Sequence, residues 1–302
     1  MAFFDVIGIG CCAFDFLLIV PEKFKLDART DISEFAMQGG GPIGTGLVTL
    51  ARLGAKTLYL GKLADDQFGH FLYEDFKKEG VDTGRIIFEK GASSTIAFIL
   101  VHESTGKRTI FVPHQLNAVH LYRGEINLEV VKSTRVLYID SFYPEVSRDA
   151  AEIAKRNGVM VVLGIEGMTR QTPGLIKSSD VFIGDEEFLK DFTGRRNYLE
   201  GIKKLQAKYK DKIIVVTVGT QGSYVASGNE IFHTPAFRVR AKDTTGAGDV
   251  YHAAFIYGLL KKWDLHYTAR FASATAALKC LSLGGRQGIP RLHEVLKFME
   301  GK

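Results

Sequence analysis

The sequence predicts a three-layer α/β/α domain with a mainly parallel central sheet and a small β-sheet lid. Short runs rich in β-branched residues, such as "FDVIGIG" (4–10) and "KIIVVTVG" (212–219), recur without strict alternation, as expected for strands buried on both faces. Segments with helical spacing separate most of them, which indicates parallel strands joined by helices. Two segments, about 11–38 and 86–118, look like strands without a helix between them, and we expect them to form the lid.

The predicted elements follow one another in a regular order. Strands are predicted at 4–10, 57–64, 135–140, 159–165, 179–184 and 212–219, and helices at about 46–55, 68–80, 145–157, 186–193 and 198–209. Gly80 ends the second helix in the manner of a C-terminal cap. The sequence shows no linker, internal repeat or low-complexity segment, so residues 1–302 are predicted to form a single domain.

The lid segments are expected to pair into a small antiparallel sheet. Glu103-Ser-Thr-Gly106 lies between two alternating runs and is a hairpin signal. The run "TIAFILV" (95–101) is long and apolar, and such a strand at the edge of a sheet needs a cover. We therefore expect a homodimer that forms through the lid.

Composition argues against several classes of function. The net charge of +5 comes from Lys and Arg dispersed among Asp and Glu, without the concentrated basic stripe of a nucleic-acid-binding protein. The apolar first twenty residues are interrupted by Asp5 and Asp15 and lack a basic leader. They are therefore predicted to be buried strands and not a signal or a membrane span. The three cysteines form no Cys-x-x-Cys pair, which indicates a reduced, cytoplasmic setting.

The stretch "KDTTGAGDVYHAAF" (242–255) is the candidate for chemistry. Gly246 and Gly248 permit a tight turn and the close approach of a ligand to bare backbone amides. A helix is predicted to begin around Asp249, and the unpartnered N–H groups at a helix start attract anions. Asp249 then has two interpretations. It is either a helix-capping carboxylate or a general base beside a transferring phosphoryl group.

Other nucleotide-binding patterns do not match. The sequence has no Walker A pattern and no His-Arg-Asp loop, and "GIGCCAFD" (8–15) is not Gly-x-Gly-x-x-Gly. "DTTGAGDVYHAAF" instead resembles the C-terminal signature of the ribokinase-like (PfkB) carbohydrate kinases. "GGGPIGTGLVTLARLGAKTLYLGKLADDQFG" (39–69) resembles their N-terminal signature, and "VVTVGTQGSYV" (215–225) looks like their nucleotide-loop strand. The three stretches stand in the family's order across nearly the whole chain, so the sequence is identified as a member.

The resemblance implies roles for the residues around the reacting groups. Asp249 matches the catalytic base, and Gly246, Ala247 and Gly248 match the anion hole. Asp15, expected at the end of the first strand, matches a carboxylate that holds substrate hydroxyls. A carboxylate can accept two hydroxyl hydrogen bonds, which suits a polyol. The alternative for Asp15 is an exposed acid at a strand end.

Further residues match the acceptor side of the family's site. Gly40 and Gly41 match the di-glycine at which the lid hinges and the sugar approaches the backbone; an ordinary turn is the alternative. Thr45 stands where the family usually has an asparagine that contacts the sugar, and a hydroxyl cannot replace an amide's paired donor and acceptor. Arg108 matches a lid residue that often points at the substrate. It suits a phosphate, sulfonate or carboxylate, and a solvated arginine is the alternative.

The nucleotide is expected beside a different set of residues. Thr217, Gly219 and Gly222 match positions around the nucleotide phosphates and adenine. Ala276 and Lys279 fall on the helix that flanks adenine in the family. A plain packing helix is the alternative there.

Two ion sites are in question. The family's Asn-x-x-Glu motif, associated with Mg²⁺, falls on "DEEF" (185–188), which has Phe188 in place of the glutamate. Asp185, Glu186 or Glu187 is then the candidate for a water-bridged Mg²⁺. Many relatives also bind a monovalent cation with an aspartate like Asp243 and carbonyls of a C-terminal loop. "SLGGRQGIP" (282–290) resembles that loop, so Gly284 is a candidate and K⁺ a candidate activator.

The resemblance implies an ATP-dependent sugar kinase with Mg²⁺ as cofactor, which transfers the γ-phosphoryl group to a hydroxymethyl group. "YIDSFYPE" (138–145) and "ALKCLSLGGRQGIP" (277–290) look closest to the ketohexokinase and sulfofructose-kinase branch. This favours a ketose such as fructose or a derivative. Two alternatives stay open: a nucleoside or inositol kinase on the same fold, and a non-catalytic sugar or nucleotide sensor.

Overall fold

The computed structural model describes residues 3–23, 27–114 and 117–301. Its strands are β1 (Phe4–Ile9), β2 (Ala13–Val20), β3 (Glu34–Gly40), β4 (Thr57–Tyr59), β5 (Lys62–Ala64), β6 (Ile87–Glu89), β7 (Ile96–His102), β8 (Arg108–Phe111), β9 (Thr134–Ile139), β10 (Met160–Gly164), β11 (Val181–Asp185), β12 (Ile213–Thr217), β13 (Ser223–Ser227) and β14 (Glu230–Thr234). Its helices are α1 (Pro42–Arg52), α2 (Gln67–Lys78), α3 (Pro144–Arg156), α4 (Thr172–Ser178), α5 (Glu186–Thr193), α6 (Tyr198–Lys208), α7 (Ala247–Leu260), α8 (Leu265–Lys279) and α9 (Leu292–Glu300).

The central sheet has the strand order β14-β13-β12-β11-β10-β9-β1-β4 within the described residues. The neighbouring pairs from β12 to β4 are parallel, whereas β13 pairs antiparallel with both β12 and β14. This confirms the mainly parallel sheet. In an open parallel sheet, ligands bind beyond the carboxyl ends of the strands, so the residues that follow the strands are the ones to inspect.

Alternate residues of each central strand face opposite layers of helices. On β9, Val136 and Tyr138 pack into the core with α1, α7, α8 and α9, whereas Leu137 and Ile139 pack into the core with α3, α4, α5 and α6. All four side chains are buried. The sheet is therefore covered on both faces, as the period of two along a strand requires, and the predicted three layers are confirmed.

The predicted helices are largely confirmed, with local differences. Helix α5 spans the predicted residues, and α3 and α6 agree with prediction to within a residue. Helix α1 begins at Pro42, earlier than its apolar spacing suggests, because Gly41 adopts a φ of 77° at the N-cap and proline is favoured in the first turn. Helix α4 was not predicted, since its seven residues give too short a pattern.

The lid is a second sheet with the order β3-β2-β7-β8. Strands β7 and β8 form the predicted hairpin, but β2 and β7 pair in parallel. The expectation of an antiparallel sheet is therefore wrong for this pair. Helices α1 and α2 lie between β2 and β7 in the sequence, and after them the chain enters β7 in the same direction as β2. Strand β6 lies outside this sheet and pairs with β5.

Two expectations about lid strands are corrected. Asp15 was expected at the end of the first strand, but β1 ends at Ile9 and Asp15 is the third residue of β2. The strand is interrupted after Ile9, and β2 belongs to the lid sheet and not to the central sheet. Strand β7 is also not a sheet edge, since β2 and β8 flank it. The exposed apolar side chains of the lid include four on one face, Phe35, Met37, Phe98 and Phe111, which we call the outer lid face.

The inner face of the lid sheet is buried along β2 and β7. Leu17, Ile19, Ile99 and Val101 pack against Leu283 of the C-terminal loop. The lid sheet thus lies over the domain and not away from it. Among the described helices, none is long and apolar enough to cross a membrane.

Candidate active site

Helix α7 begins immediately after a left-handed glycine. Gly246 has a φ of 71°, and a Cβ atom there would lie 2.8 Å from Cα of Gly285, so only glycine suits the position. The amide of Ala247 donates to the carbonyl of Thr244. Within the described part of the chain, the amides of Gly248 and Asp249 have no such backbone acceptor. The amide of Gly246 has no backbone acceptor among these residues either, so the free N–H groups lie at Gly246, Gly248 and Asp249.

Asp249 lies in the first turn of α7. Burial raises its pKa to about 6, and the positive charges of Arg108 and Lys279 oppose the rise. A carboxylate with a pKa near neutrality can both accept a proton and release it at physiological pH. The environment is therefore that expected of a general base.

Glu166 stands opposite Asp249 and was not predicted. It follows β10 by two residues, and burial together with the charges of Asp249, Asp140 and Asp185 raises its pKa to about 9. Its side chain lies close enough to Asp249 to lower the pKa of Asp249. Asp249 is therefore the acid of this pair that ionises first.

Asp140, at the end of β9, is a second strand-end carboxylate that sequence reasoning missed. Its oxygens accept from the amides of Cys11 at 2.7 Å and Phe142 at 2.9 Å. It therefore ties together the carboxyl ends of β1 and β9, which is a structural role. A signal for Glu166 and Asp140 was present, because both acids come at the carboxyl ends of predicted strands.

The di-glycine is shaped by two buried, charged side chains. Asp15 is buried, and its carboxylate oxygen lies 2.0 Å from where a Cβ atom of Gly40 would stand. Burial raises the pKa of Asp15 to about 7, Arg286 opposes this, and Asp249 and Asp243 add to it. Gly40 is therefore required for the approach of Asp15, while Gly41 is required for its positive φ. An ordinary turn does not account for these contacts.

Arg286 is the second of these side chains and was not singled out in the sequence. Its guanidinium donates to Asp75 Oδ2 at 2.5 Å and to the carbonyl of Gly40 at 2.9 Å, and it lies over the ring of Phe76. A Cβ atom on Gly39 would come within 2.1 Å of it. Arg286 is only 3% exposed, and it links the C-terminal loop, α2 and the end of lid strand β3 inside the protein.

Arg108 brings the lid to the anion hole. Its guanidinium donates to Thr244 Oγ1 at 3.3 Å, and the carbonyl of Gly106, in the hairpin turn, accepts from the amide and hydroxyl of Thr244. Thr45 is buried at the other side, and a Cβ atom on Gly246 would lie 3.5 Å from its methyl group. Its location is thus directly against the anion-hole glycine.

The predicted nucleotide residues cluster at the end of β12 and on α8. Thr217 ends β12, and Gly219 and Gly222 follow with φ values of 57° and 103°. A Cβ atom on Gly222 would collide with the carbonyl of Thr234. Ala276 is half-buried on α8.

The predicted Mg²⁺ residues differ in their availability. Phe188 is fully buried in the core, so the position of the family's glutamate has no ligand. Glu186 accepts a hydrogen bond from the hydroxyl of Tyr198 at 2.6 Å, and Asp185 caps α5 through one carboxylate oxygen. Asp185 and Glu166 end neighbouring parallel strands, and together they offer carboxylate oxygens of the kind that hold hydrated Mg²⁺.

The predicted K⁺ residues are engaged by protein donors. Asp243 is fully buried, and its carboxylate accepts from Thr245 N at 2.8 Å, Thr245 Oγ1 at 2.7 Å and Gly284 N at 2.6 Å. Lys279 has no exposed surface and donates to the carbonyl of Asp243 at 2.9 Å, so it is not available to contact adenine. Asp243 therefore fits a monovalent-cation site poorly, because both of its carboxylate oxygens already accept from N–H or O–H groups, and Gly284 meets it through its N–H.

Comparison with known proteins identifies the family. The model of the pfkB family carbohydrate kinases matches residues 4–292. The chain belongs to the pfkB family of carbohydrate kinases. It is therefore an ATP-dependent carbohydrate kinase, a phosphotransferase with an alcohol group as acceptor, and its pfkB signatures are those found in the sequence.

Curated pfkB relatives match over almost the entire chain. A 5-dehydro-2-deoxygluconokinase of Clostridium beijerinckii is 30% identical, covering 98% of this chain and 93% of the relative. A 5-dehydro-2-deoxygluconokinase of Geobacillus kaustophilus is 29% identical, covering 87% and 84%.

Solved structures agree with the ribokinase-like fold. Arabidopsis thaliana ribokinase complexed with ribose and ATP superposes with a TM-score of 0.85 at 21% identity, covering 99% of both chains. Adenosine kinase from Sinorhizobium meliloti superposes with a TM-score of 0.84 at 21% identity, covering 97% and 99%. Sugar and nucleoside kinases thus share this fold, and the fold alone does not select the acceptor.

Proposed function

We propose that this kinase transfers the γ-phosphoryl group of ATP to a hydroxymethyl group of a keto-sugar, with Asp249 as the general base. The observation that carries the proposal is the position of Asp249, in the first turn of α7, beside free amides and facing the lid residue Arg108. A capping carboxylate alone would not need a buried site with a raised pKa.

The reaction follows from this arrangement. Asp249 takes the proton of the acceptor hydroxyl while the oxygen of that hydroxyl attacks the γ-phosphorus of ATP. The bond between the γ-phosphorus and the β,γ-bridging oxygen breaks, and ADP is released. The amides of Gly248 and Asp249 and the guanidinium of Arg108 stabilise the negative charge of the transferring group. The closed lid excludes water, which would otherwise compete as the acceptor.

We assign the acceptor end to Asp15. Its carboxylate lies against Gly40 at the base of the lid, where it can accept two hydroxyl hydrogen bonds. The relatives named 5-dehydro-2-deoxygluconokinases support a keto-sugar acid, in which a hydroxymethyl group adjoins the keto carbon as it does in fructose. Arg108 supplies a cation that suits the carboxylate of a sugar acid or the transferring phosphoryl group.

Bound Mg²⁺ would supply charge neutralisation for the phosphates. Glu166 and Asp185 are the residues that we assign to it, since Glu186 is turned to Tyr198 and Phe188 is buried in the core. The negative charges that raise the pKa of Glu166 are the environment that a divalent cation relieves.

We also propose a homodimer that forms through the outer lid face. Met37 and Phe98 are the cross-strand neighbours of Phe16, and Phe98 is that of Phe111, so these side chains make one apolar row. Phe111 is 53% exposed and Met37 52%, which is a large apolar surface for a monomer.

We place the enzyme in the cytoplasm, because its three cysteines are unpaired and buried.

The test is coupled ADP release with Mg²⁺-ATP across fructose, 5-dehydro-2-deoxygluconate, sulfofructose, ribose, inositol and nucleosides. We expect a keto-sugar with a terminal hydroxymethyl group to exceed the others. A nucleoside or inositol as the best acceptor would overturn the acceptor assignment. Binding of ATP and a sugar by calorimetry, without ADP release from any acceptor, would favour a sensor instead.

A further inference from the structure

Lys279 is a lysine buried inside the protein next to the anion hole. It is the last residue of α8, and its side chain has no exposed surface. Lysine is almost never fully buried unless it is paired. The partner here is a backbone carbonyl, because the ammonium donates to the oxygen of Asp243 at 2.9 Å.

The carbonyl that Lys279 holds belongs to the segment that shapes the anion hole. The amides of Lys242 and Asp243 both donate to the carbonyl of Cys280, at 2.8 and 3.2 Å. Asp243 in turn accepts from the amide of Gly284 and from Thr245. The end of α8 and the segment that leads to Gly246 are therefore joined at several points, and the ammonium lies between them.

The charge of Lys279 is also placed well for phosphoryl transfer. A cation is favourable at the C-terminal end of a helix, and this one lies close enough to Asp249 to help keep its carboxylate ionised. A monovalent metal ion near an anion hole would supply the same two effects. The oxygens of Asp243 that could bind such an ion are occupied by protein donors.

We propose that the ammonium of Lys279 is a built-in monovalent cation, which orders the anion-hole segment and makes the kinase independent of K⁺. This rests on the proposed function, in which the start of α7 receives the transferring phosphoryl group. One residue then explains two observations: Lys279 is fully buried, and the carboxylate of Asp243 accepts hydrogen bonds from protein donors.

The test compares the full-length protein with Lys279→Ala, which removes the ammonium and leaves space for a small cation. Thermal melting is measured at equal ionic strength in chlorides of K⁺, methylammonium and tetramethylammonium. We expect the unsubstituted protein to melt at the same temperature in all three. We expect Lys279→Ala to be destabilised in tetramethylammonium and to regain several degrees in K⁺ or methylammonium, since binding to the folded state stabilises it.

ADP release with the best acceptor of the panel is the second readout. The unsubstituted enzyme should keep its rate without K⁺, and Lys279→Ala should lose about tenfold or more in kcat and recover with K⁺ or methylammonium. Because melting requires no acceptor, a failure of the proposed acceptor chemistry would leave the first readout intact, and the two failures are distinguishable.

The matched control is Lys212→Ala. Lys212 is also a buried lysine that donates to backbone carbonyls, those of Ser179 at 2.5 Å and Lys177 at 3.3 Å, but it lies at the amino end of β12. We expect its substitution to lower stability equally in all three salts.

Two results would overturn the proposal. One is activation or stabilisation of the unsubstituted protein by K⁺ over tetramethylammonium, which is measurable even if Lys279→Ala does not fold. The other is a folded Lys279→Ala protein for which neither cation improves melting or turnover.

Discussion

The carboxylate of Asp15 and the guanidinium of Arg286 lie against two adjacent glycines at the end of β3, Gly40 and Gly39 respectively. A Cβ atom would come within 2.0 Å of the carboxylate and 2.1 Å of the guanidinium. The positive charge of Arg286 is the largest of the effects that oppose the raised pKa of Asp15. Gly39 and Gly40 are therefore held between a buried acid and a buried base, which only residues without a Cβ atom permit.

Arg286→Met should weaken acceptor binding more than ATP binding. Without the guanidinium, the pKa of Asp15 rises further, so that a larger fraction is protonated at neutral pH and cannot accept two hydroxyl hydrogen bonds. We expect the KM for the sugar to rise about tenfold at pH 7, and less at pH 9, with the KM for ATP nearly unchanged. Steady-state kinetics across pH provide the measurement.

Arg52→Met is the control for Arg286→Met. Arg52 holds the same C-terminal loop through the carbonyls of Arg286 and Ile289 and pairs with Glu79, but it makes no contact with the di-glycine. It should lower the melting temperature and leave the pH profile of the sugar KM unchanged. Identical profiles for the two variants would show that Arg286 only stabilises the loop.

Asp249→Asn should remove the general base and keep the fold. We expect kcat to fall about 10²–10⁴-fold, with ATP affinity retained. In the unsubstituted enzyme, kcat should rise with pH through an apparent pKa near 6 as Asp249 loses its proton. Glu294→Gln, which changes an acid in the first turn of α9, is the control and should keep full activity. A loss of less than tenfold for Asp249→Asn would contradict the assigned role.

Asp15→Asn should lower the activity and raise the melting temperature. The folded-state pKa of Asp15 is raised from 3.8 to about 7, so its burial costs stability that is absent below pH 3.8 and grows as the pH rises to 7. Removing the charge should therefore raise the melting temperature, by about 3 °C at pH 8 and by less at pH 5. A gain that is equal at both values, measured by calorimetry, would refute the electrostatic explanation.

Glu166→Gln and Glu186→Gln distinguish the two Mg²⁺ assignments. Glu166 faces Asp249 and Asp185, whereas Glu186 is bonded to Tyr198. We expect Glu166→Gln to raise the Mg²⁺ concentration for half-maximal ADP release about fivefold or more, and Glu186→Gln to leave it unchanged. The reverse result would restore the assignment made from the sequence.

Phe111→Glu should separate a dimer formed through the outer lid face. A charge in the apolar row would be buried without a partner at the interface. We expect light scattering at micromolar concentration to show a dimer for the unsubstituted protein and a monomer for the variant. Leu199→Glu, at an exposed leucine of α6, is the matched control and should remain dimeric. A monomeric unsubstituted protein would refute the dimer.

The motif residues were predictable because their roles are local. The Gly-Ala-Gly-Asp stretch is contiguous, so the glycine turn and the start of α7 after it could be predicted from the sequence. The predicted strands were recognisable because burial on both faces leaves continuous apolar runs. The parallel pairing of β2 with β7 could not be predicted, since the direction in which two strands pair depends on the path of the chain between those strands.

The sequence by itself determined the fold class, the family and the start of α7, because periodicity and contiguous motifs encode them. Only the tertiary structure decided which distant charges meet. Arg286 reaches the di-glycine, Lys279 reaches Asp243, and Glu166 faces Asp249. Each of these contacts joins segments that are far apart in the chain or on separate elements, and a pKa or a hydrogen bond depends on distance in space and not on spacing in sequence.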